Sequence, residues 1–345
     1  MHAGQLFNMT LSERLSAFQA LGESLEAMTP DERTGLSARA ESENGWFTKS
    51  SVSLAFKGLS FLLNRSALEE WANGYLREQG SSKSIGVATA GNIPLVGFHD
   101  FLCVLVAGHR LRYKPSTRDA VLPEFILSRL SGIEPRFAER IARTDRLNGV
   151  DAVIATGSNN TARYFEYYFR KVPHILRKNR VSCGIIQGNE PDEEISRLGA
   201  DVFSYYGLGC RNVATLLVPN DFEVHRLTEG FRECDEVLDN HKYANNYIYQ
   251  KSLLMLNREQ FHDTGFLLIR ESESLVSPVA VLHITRYHDL VDLKKKLAKH
   301  RDNLQAIVSA NGWFEGSLPF GTAQFPNLTD YADGIDTMKF LMSIR

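Results

Sequence analysis

The sequence predicts an α/β protein with two parallel-sheet α/β domains and a helical N-terminal region. The chain has 345 residues, 43% of them hydrophobic, which is enough for a large core and favours two domains. Apolar residues recur at helical spacing through the first 80 residues. From residue 84 onwards, short β-rich runs alternate with helical stretches, which is typical of βαβ units.

The first 80 residues are predicted to be helical. Apolar residues at helical spacing indicate helices in TLSERLSAFQALGESLEAM and in SVSLAFKGLSFLLN. Ser66 is predicted to open a further helix, because Glu69 three residues later completes a capping-box pattern. No catalytic motif is evident in this region.

The remaining chain is predicted to form two successive α/β stretches, divided near residue 187. Helices are expected to begin near Pro94 and Asp119, and the segment from Leu318 is turn-rich and is expected to form an extended tail. The strands of the first stretch are expected in SIGVATA, HRLRYKP, DAVIATG and SCGIIQG. Those of the second are expected in NVATLLVP, TGFLLIRE, SPVAVLHITRY and LQAIVSA.

Composition and charge favour a small-molecule substrate. The 39 basic and 41 acidic residues give no basic surface for nucleic acid or for an anionic membrane. No apolar run approaches the roughly 20 residues that span a bilayer, and no signal peptide is evident. A cytoplasmic protein without a membrane span is therefore expected. The four cysteines form no CxxC pair, so no metal site is predicted.

Three polar segments follow predicted strands. Asn92 opens the segment NIPL at a strand end, where open α/β sheets bind ligands, although a turn asparagine before a proline explains it better in isolation. Lys114 begins KPS at the end of the next strand, where a lysine is usually only solvated. Gly157 and Ser158 follow a third strand and start a helix, whose free N–H groups favour a phosphate. Alternatively, Ser158 is only the N-cap of that helix.

Cys210 is the candidate nucleophile. It lies in GLGCRN, where flanking glycines let the backbone approach a substrate and Arg211 favours a thiolate. A lone cysteine is nevertheless more often a small buried hydrophobe. Cys103 and Cys183 lie in apolar runs and are predicted to be core residues, and the acidic neighbours of Cys234 oppose its ionisation.

Taken in order, these segments resemble the aldehyde dehydrogenase superfamily, and most closely its LuxC-type acyl-CoA reductases. The similar segments are NIPL, KPS, TGS and GLGC, followed by SPV and LPFG, which resemble the family's GPV and PFG. The closing FPNLTDYADGIDTMKFL resembles the LuxC-type ending. The resemblance covers about residues 84 to 345.

The resemblance implies roles for individual residues. Cys210 would attack an acyl-CoA thioester and release CoA as co-product, while Asn92 and the backbone N–H of Cys210 hold the oxyanion. Lys114 would bind the adenosine ribose of a nicotinamide cofactor, with Gly157 and Ser158 at its pyrophosphate. The implied domains are a helical region over 1–80, a cofactor-binding domain over 81–187, a catalytic domain over 188–320 and a C-terminal tail over 321–345.

One departure from the family pattern concerns hydrolysis. Hydrolytic members carry a glutamate in an ELGGK motif that activates the deacylating water, and that position falls near Arg177 here. A cation cannot act as this base. Glu190 is a candidate substitute. The missing base favours exchange of the thioester with CoA over oxidation to a free acid.

A second departure concerns the cofactor. Relatives that prefer NAD often carry a glutamate three residues after the lysine, where this chain has Thr117 followed by Arg118. Without the carboxylate, a 2′-phosphate is not repelled, and the arginine could pair with it. Lys114, Ser116, Thr117 and Arg118 are therefore the predicted cofactor loop. NADPH is expected as the cofactor, with NADH left open.

The predicted function is the reduction of acyl-CoA to a fatty aldehyde by NADPH through an acyl-cysteine intermediate. One alternative is an acyl-phosphate reductase of the same superfamily, and another is a non-catalytic member that acts as a binding partner. The sequence leaves open whether a partner supplies acyl groups or consumes the aldehyde. It also leaves open whether the chain forms a homo-oligomer. No nucleic-acid partner is expected.

Overall fold

The computed structural model of this chain describes residues 9–75, 81–157 and 159–344. The chain divides into two compact units. Unit 1 comprises Met1–Asn179 and Pro326–Arg345, and unit 2 comprises Arg180–Phe325. The chain thus passes once through unit 2 and returns to unit 1. The roles assigned to separate domains from the sequence remain predictions.

Helices and strands alternate through most of the described chain. The α-helices are α1 (Leu11–Glu26), α2 (Pro30–Glu43), α3 (Lys49–Leu62), α4 (Arg65–Asn73), α5 (Phe98–Val106), α6 (Val121–Ile133), α7 (Asn159–Phe169), α8 (Asp192–Phe203), α9 (His225–Gly230), α10 (His241–Leu256), α11 (Leu290–His300) and α12 (Thr337–Ser343). The strands are β1 (Ser84–Ala88), β2 (Arg110–Lys114), β3 (Ile141–Arg143), β4 (Ala152–Thr156), β5 (His174–Arg177), β6 (Val181–Ile185), β7 (Val213–Pro219), β8 (His262–Asp263), β9 (Leu268–Glu271), β10 (Val281–Tyr287), β11 (Leu304–Ser309) and β12 (Leu318–Pro319).

The N-terminal region is helical, as predicted. Thr10 forms a capping box at the start of α1, and Thr29 forms one at the start of α2. The predicted cap of α4 at Ser66 is wrong, because the N-cap is Asn64, whose side chain accepts a hydrogen bond from the Ser66 N–H at 3.0 Å. Asparagine caps a helix as well as serine does, and it stands two residues earlier.

Unit 1 contains a five-stranded parallel sheet in the order β3-β2-β1-β4-β5. The chain winds outwards from β1 through β2 to β3 and then places β4 on the other side of β1. This reversal is a topological switch point, where the carboxyl ends of strands bind ligands in open α/β sheets. The sequence did not predict β3 or β5, since runs of three or four residues show little periodicity.

Helix α5 begins at Phe98 rather than near Pro94. Leu95 has a φ of +58°, a left-handed conformation that a right-handed helix cannot include. Helix α6 begins at Val121, two residues after the predicted start at Asp119.

Unit 2 contains a seven-stranded sheet in the order β12-β11-β6-β7-β10-β9-β8. All its strand pairs are parallel except β8 with β9. Strand β6, which is predicted from the sequence to belong to the first sheet, pairs here with β7 and β11. Sequence order therefore did not indicate the partners of β6.

The end of the chain packs into unit 1 and is not wholly extended. Its last part forms α12, whose N-cap is Asp336. Four apolar side chains of this segment are buried in the core of unit 1, namely Leu328, Tyr331, Met338 and Leu341. None of the described helices is long and apolar enough to cross a membrane.

Candidate active site

The carboxyl ends of β1, β2 and β4 meet at one edge of the sheet of unit 1. Ala88 of β1 is in register with Lys114 of β2 and with Ala155 of β4. Lys114 is the last residue of β2, Gly157 comes directly after β4, and Asn92 lies four residues after the end of β1. The structure therefore brings Asn92, Lys114 and Gly157 to the same edge, while Ser158 lies outside the described residues.

The NIPL segment is held by a buried carboxyl group. The N–H of Leu95 donates to Oδ2 of Asp119 at 2.8 Å, which fixes the strained left-handed residue. Asp119 is 1% exposed, and its Oδ1 has no hydrogen-bond partner among the described residues. Burial raises the pKa of Asp119 to about 7, the Leu95 N–H opposes this shift, and the charge of Glu43 adds to it. Asp119 thus joins NIPL to the end of the predicted cofactor loop.

Gly91 lets the predicted cofactor loop approach the backbone just before Asn92. A Cβ atom at Gly91 would lie 2.6 Å from Oγ of Ser116 and 3.0 Å from Cβ of Arg118. Oγ of Ser116 accepts a hydrogen bond from the Arg118 N–H at 3.2 Å. Any larger residue at position 91 would displace the loop, so the glycine is required by close packing.

The residues of this edge fit a phosphorylated dinucleotide. Lys114, Thr117 and Arg118 are exposed, and the loop from Lys114 to Arg118 carries two cations and no carboxylate. Gly157 has no side chain to obstruct a phosphate, and its N–H makes only a long hydrogen bond, at 3.4 Å, to the carbonyl of Arg177. Within the described residues, no group of three or more His, Cys, Asp or Glu side chains could hold a metal ion.

Arg177 forms a buried ion pair at the end of β5. Its Nη2 lies 2.6 Å from Oδ1 of Asp100 and donates to Oγ1 of Thr337 at 2.8 Å. The side chains of Arg177 and Asp100 are 6% and 5% exposed. The position that the resemblance gives to the hydrolytic base is therefore occupied by a cation directed into the interior of unit 1.

Glu190, the candidate substitute base, lies in unit 2 after β6. It is buried, and its carboxylate accepts hydrogen bonds from the backbone N–H groups of Gln187 and Gly188. Both carboxylate oxygens are engaged in holding this turn. Glu190 has a structural role that accounts for its burial.

The four cysteines differ in exposure and in thiol acidity. Cys103 and Cys183 are buried, as predicted, and burial raises the pKa of both thiols, that of Cys183 to about 12. Burial and three acidic neighbours raise the pKa of Cys234 to about 11. Because the thiolate is the nucleophilic form, these three thiols are poor nucleophiles near neutral pH. Cys210 is partly exposed and lies in the loop before β7.

Asn212 fixes the Cys210 loop, a role that no feature of the sequence predicted. Its Oδ1 accepts from the Gly209 N–H at 2.8 Å. Its Nδ2 donates to carbonyl groups at the end of α8, with distances of 2.6 Å to Ser204, 3.1 Å to Asp201 and 3.4 Å to Val202. Oγ of Ser182 in β6 donates to the Cys210 carbonyl at 3.0 Å. One buried amide therefore sets the path of the chain on both sides of Cys210.

The backbone before Cys210 is strained. Tyr205, Tyr206 and Gly207 have φ values of +50°, +59° and +78°, so two tyrosines adopt a left-handed conformation in succession. Such residues cost about 1–3 kcal/mol each and cluster at functional sites. No sequence signal indicates this turn, since tyrosine has no preference for it.

Asp201 anchors the LPFG segment to the same end of α8. Its two carboxylate oxygens accept from the N–H groups of Gly321 at 2.6 Å and Ala323 at 2.9 Å. Burial raises the pKa of Asp201 to about 6, and these two N–H groups oppose the shift. The structure therefore brings the GLGC and LPFG segments to a common support within unit 2.

No protein-family model and no curated protein matches the sequence. Solved structures match the fold. Indole-3-acetaldehyde dehydrogenase AldA from P. syringae, in complex with NAD+ and IAA, is 12% identical with a TM-score of 0.64, covering 90% of this chain and 74% of that chain. NADP-dependent glyceraldehyde-3-phosphate dehydrogenase from Bacillus halodurans, complexed with NADP, is 14% identical with a TM-score of 0.61, covering 87% and 74%.

A third similar structure is the aldehyde dehydrogenase KauB from Pseudomonas aeruginosa, 12% identical with a TM-score of 0.60, covering 87% of this chain and 72% of that chain. Identities this low show a shared fold. The predicted fold class is confirmed, and this chain has the fold of the aldehyde dehydrogenases.

Proposed function

We propose that the protein is an NADPH-dependent acyl-CoA reductase of the LuxC type, which forms a fatty aldehyde through a thioester on Cys210. The buried ion pair of Arg177 carries this proposal. Where hydrolytic relatives are expected to hold a general base, this chain has Arg177, which forms an ion pair with Asp100 and donates a hydrogen bond to Thr337. The carboxylate of Glu190 accepts hydrogen bonds from two backbone N–H groups. An acyl group on Cys210 would therefore receive no help from either residue to react with water.

The proposed chemistry uses the thiol of Cys210 as the acyl carrier. Its sulfur attacks the thioester carbonyl carbon, the bond from that carbon to the CoA sulfur breaks, and CoA departs as the thiol with the proton from Cys210. Asn92 and the Cys210 N–H are the proposed oxyanion donors, carried over from the resemblance. The bound nicotinamide cofactor would supply hydride to the acyl carbon. Breaking of the acyl–sulfur bond would then release the aldehyde and leave Cys210 as a thiolate, which takes a proton from water to restore the thiol.

The proposed cofactor site consists of Lys114, Ser116, Thr117 and Arg118 with Gly157 and Ser158. The absence of a carboxylate from the loop and the exposed Arg118 support a preference for a 2′-phosphate. The similar solved structures contain NAD+ in one case and NADP in another, so the preference rests on this loop.

Covalent acylation of Cys210 tests the proposal. The protein is mixed with fatty acyl-CoA of several chain lengths without cofactor, and intact mass and released CoA thiol are measured. We expect one acyl group per chain and one equivalent of free CoA. Cys210→Ala should remain unmodified, whereas Cys234→Ala, which removes another partly exposed thiol, should be acylated normally. Unmodified wild-type protein at every chain length would contradict the proposal.

A further inference from the structure

The C-terminal end of helix α2 contacts the segment that carries Asn92. Asn44 is the C-cap of α2 and is 5% exposed. Its Nδ2 donates a hydrogen bond to the carbonyl of Gly91 at 3.1 Å, across 47 positions of the sequence. Helix α2 belongs to the N-terminal helical region, in which the sequence shows no catalytic motif. One residue of that region therefore contacts the backbone directly beside Asn92.

The two ends of the Asn44 amide have different partners, which fix its orientation. Oδ1 accepts a hydrogen bond from the N–H of Trp46 at 3.3 Å, so this end of the amide is the oxygen. The carbonyl of Gly91 can only accept, so the end that faces it is the NH₂ group. Phe47 is 1% exposed, and its N–H donates to the Asn44 carbonyl at 2.7 Å, which anchors this turn in the core of unit 1. The donor is thus held in place by its own turn.

The hydrogen bond from Asn44 fixes the peptide unit that joins Gly91 to Asn92. A peptide unit is planar, so the carbonyl oxygen of Gly91 lies in one plane with the nitrogen and Cα of Asn92. Glycine restricts its own backbone less than other residues do, so a contact from elsewhere in the fold is needed to set the direction of this plane. Asn92 is exposed, and the direction of its side chain follows from that plane.

The chain after Asn92 is restrained by the sequence and by a second hydrogen bond. Pro94 has a fixed φ, and it also disfavours the helical conformation for Ile93 before it. The N–H of Leu95 donates to Asp119 at 2.8 Å. The backbone on both sides of Asn92 is thus held, from α2 on one side and from the end of the predicted cofactor loop on the other.

The residue before Asn44 connects α2 to the predicted cofactor loop. Oε2 of Glu43 accepts hydrogen bonds from the N–H groups of Ala120 at 3.0 Å and Val121 at 3.1 Å, at the start of α6. These two residues directly follow Asp119. A carboxylate at the N-terminus of a helix is stabilised by the free N–H groups and by the helix dipole. The end of α2 therefore contacts both loops at this edge of the sheet of unit 1.

We propose that Asn44 is a positioning residue for the oxyanion donor Asn92 and acts through the carbonyl of Gly91. This inference rests on the proposed function, which assigns Asn92 to the oxyanion. A donor stabilises the oxyanion only when it is held where the negative charge develops, and a displacement of about 1 Å can cost about a hundredfold in rate. The N-terminal helical region would thus contribute to catalysis without a catalytic motif of its own.

Single-turnover acylation of Cys210 tests the proposal. Release of CoA thiol from fatty acyl-CoA is followed with the full-length protein without cofactor. Asn44→Ala should slow acylation by about ten- to a hundredfold and leave the half-saturating concentration of acyl-CoA unchanged, because the oxyanion forms only in the transition state. Asn44→Leu, which keeps the volume but has no donor, should behave in the same way and serves if Asn44→Ala does not fold. Asn64→Ala removes the N-cap of α4 in the same unit and is the matched control, which should lower the melting temperature and retain the wild-type rate.

A double-mutant cycle separates positioning from a general loss of stability. Asn92→Ala removes the donor that Asn44 holds, so adding Asn44→Ala to it should slow acylation by less than about twofold further. Equal rates for the wild type and Asn44→Ala, or the same loss in both backgrounds, would overturn the inference and leave the proposed function intact. Wild-type protein that is not acylated, or Asn92→Ala with the wild-type rate, would instead contradict the proposed function, and the inference with it.

Discussion

Asp119 shows how one buried carboxyl group can couple two loops at the edge of a sheet. It accepts the Leu95 N–H, and burial raises its pKa to about 7. In the unfolded chain an aspartate has a pKa of about 3.9. The protonated group therefore contributes stability that is fully present below about pH 4 and is lost as the pH rises to about 7.

Asp119→Asn should remove this pH dependence. The amide oxygen can still accept the Leu95 N–H, but the side chain no longer ionises. We expect the free energy of unfolding of the wild type, relative to Asp119→Asn, to fall by at most about 4 kcal/mol between pH 4 and 7 and to stay level above. Denaturant titrations across this range measure the difference.

Asp119→Ala is the control for the hydrogen bond. It cannot accept the Leu95 N–H, so it should be less stable than Asp119→Asn at every pH. Parallel pH curves for the wild type and Asp119→Asn would show that the carboxyl group does not titrate in this range.

Thr117 is the residue at which the proposed cofactor preference can be reversed. A carboxylate there would repel a 2′-phosphate and accept from a free 2′-OH. Thr117→Glu should change the ratio of kcat/KM for NADPH over NADH by roughly tenfold in favour of NADH, about 1.4 kcal/mol. Thr117→Gln introduces a side chain of the same size as glutamate but without its charge, and it should leave the ratio close to that of the wild type. An equal ratio in all three proteins would place recognition of the 2′-position elsewhere.

At the scale of the elements, the conformation of the loop that carries Cys210 depends on the side-chain amide of Asn212. Asn212 satisfies the Gly209 N–H and carbonyl groups at the end of α8. Each buried polar group that loses its partner costs about 1–3 kcal/mol. The conformation of a loop with two left-handed tyrosines is maintained because these hydrogen bonds offset its strain.

Asn212→Ala should therefore loosen the loop. We expect a loss of several kcal/mol in unfolding free energy, at about 1–3 kcal/mol for each group left unpaired, and slower acylation of Cys210. Cofactor binding, measured by NADPH fluorescence, should be retained, because the proposed cofactor residues lie in unit 1. Asn245→Ala, at an exposed asparagine of the same unit, should behave as the wild type. An Asn212→Ala protein with wild-type stability would exclude this anchoring role.

At the scale of the whole molecule, the return of the chain to unit 1 is secured by polar as well as apolar contacts. Arg177 at the end of β5 contacts Asp100 of α5 and Thr337 of α12. These three residues are far apart in sequence and lie on three different elements. The ion pair thus links the closing segment to the sheet.

Arg177→Met should destabilise the protein by about 3–5 kcal/mol, because it leaves Asp100 as an uncompensated buried carboxyl group. The double variant Arg177→Met with Asp100→Leu should recover much of this loss, since no buried charge remains. Arg143→Met breaks an exposed pair with Glu124 in the same unit and should cost at most about 1 kcal/mol. Chemical denaturation gives the three values. Equal losses for Arg177→Met and Arg143→Met would mean that the Arg177 pair is not buried in solution.

The sequence by itself determined the fold class and the edge at which the first three motifs meet. The apolar pattern is a local property of the sequence, so β1, β2, β4 and β7 could be predicted from their own residues. Parallel strands place their carboxyl ends at one edge, which brought Asn92, Lys114 and Gly157 together. The order of short motifs along the chain predicted the aldehyde dehydrogenase fold.

Only the tertiary structure decided how distant segments pair. It assigned β6 to the sheet of unit 2, buried the closing segment in unit 1 and placed Asp119 against the left-handed Leu95. These features depend on hydrogen bonds, buried polar groups and apolar contacts between residues separated by many positions. Such contacts leave no periodic pattern in the chain, because a buried carboxyl group is defined by its partners rather than by its neighbours in sequence.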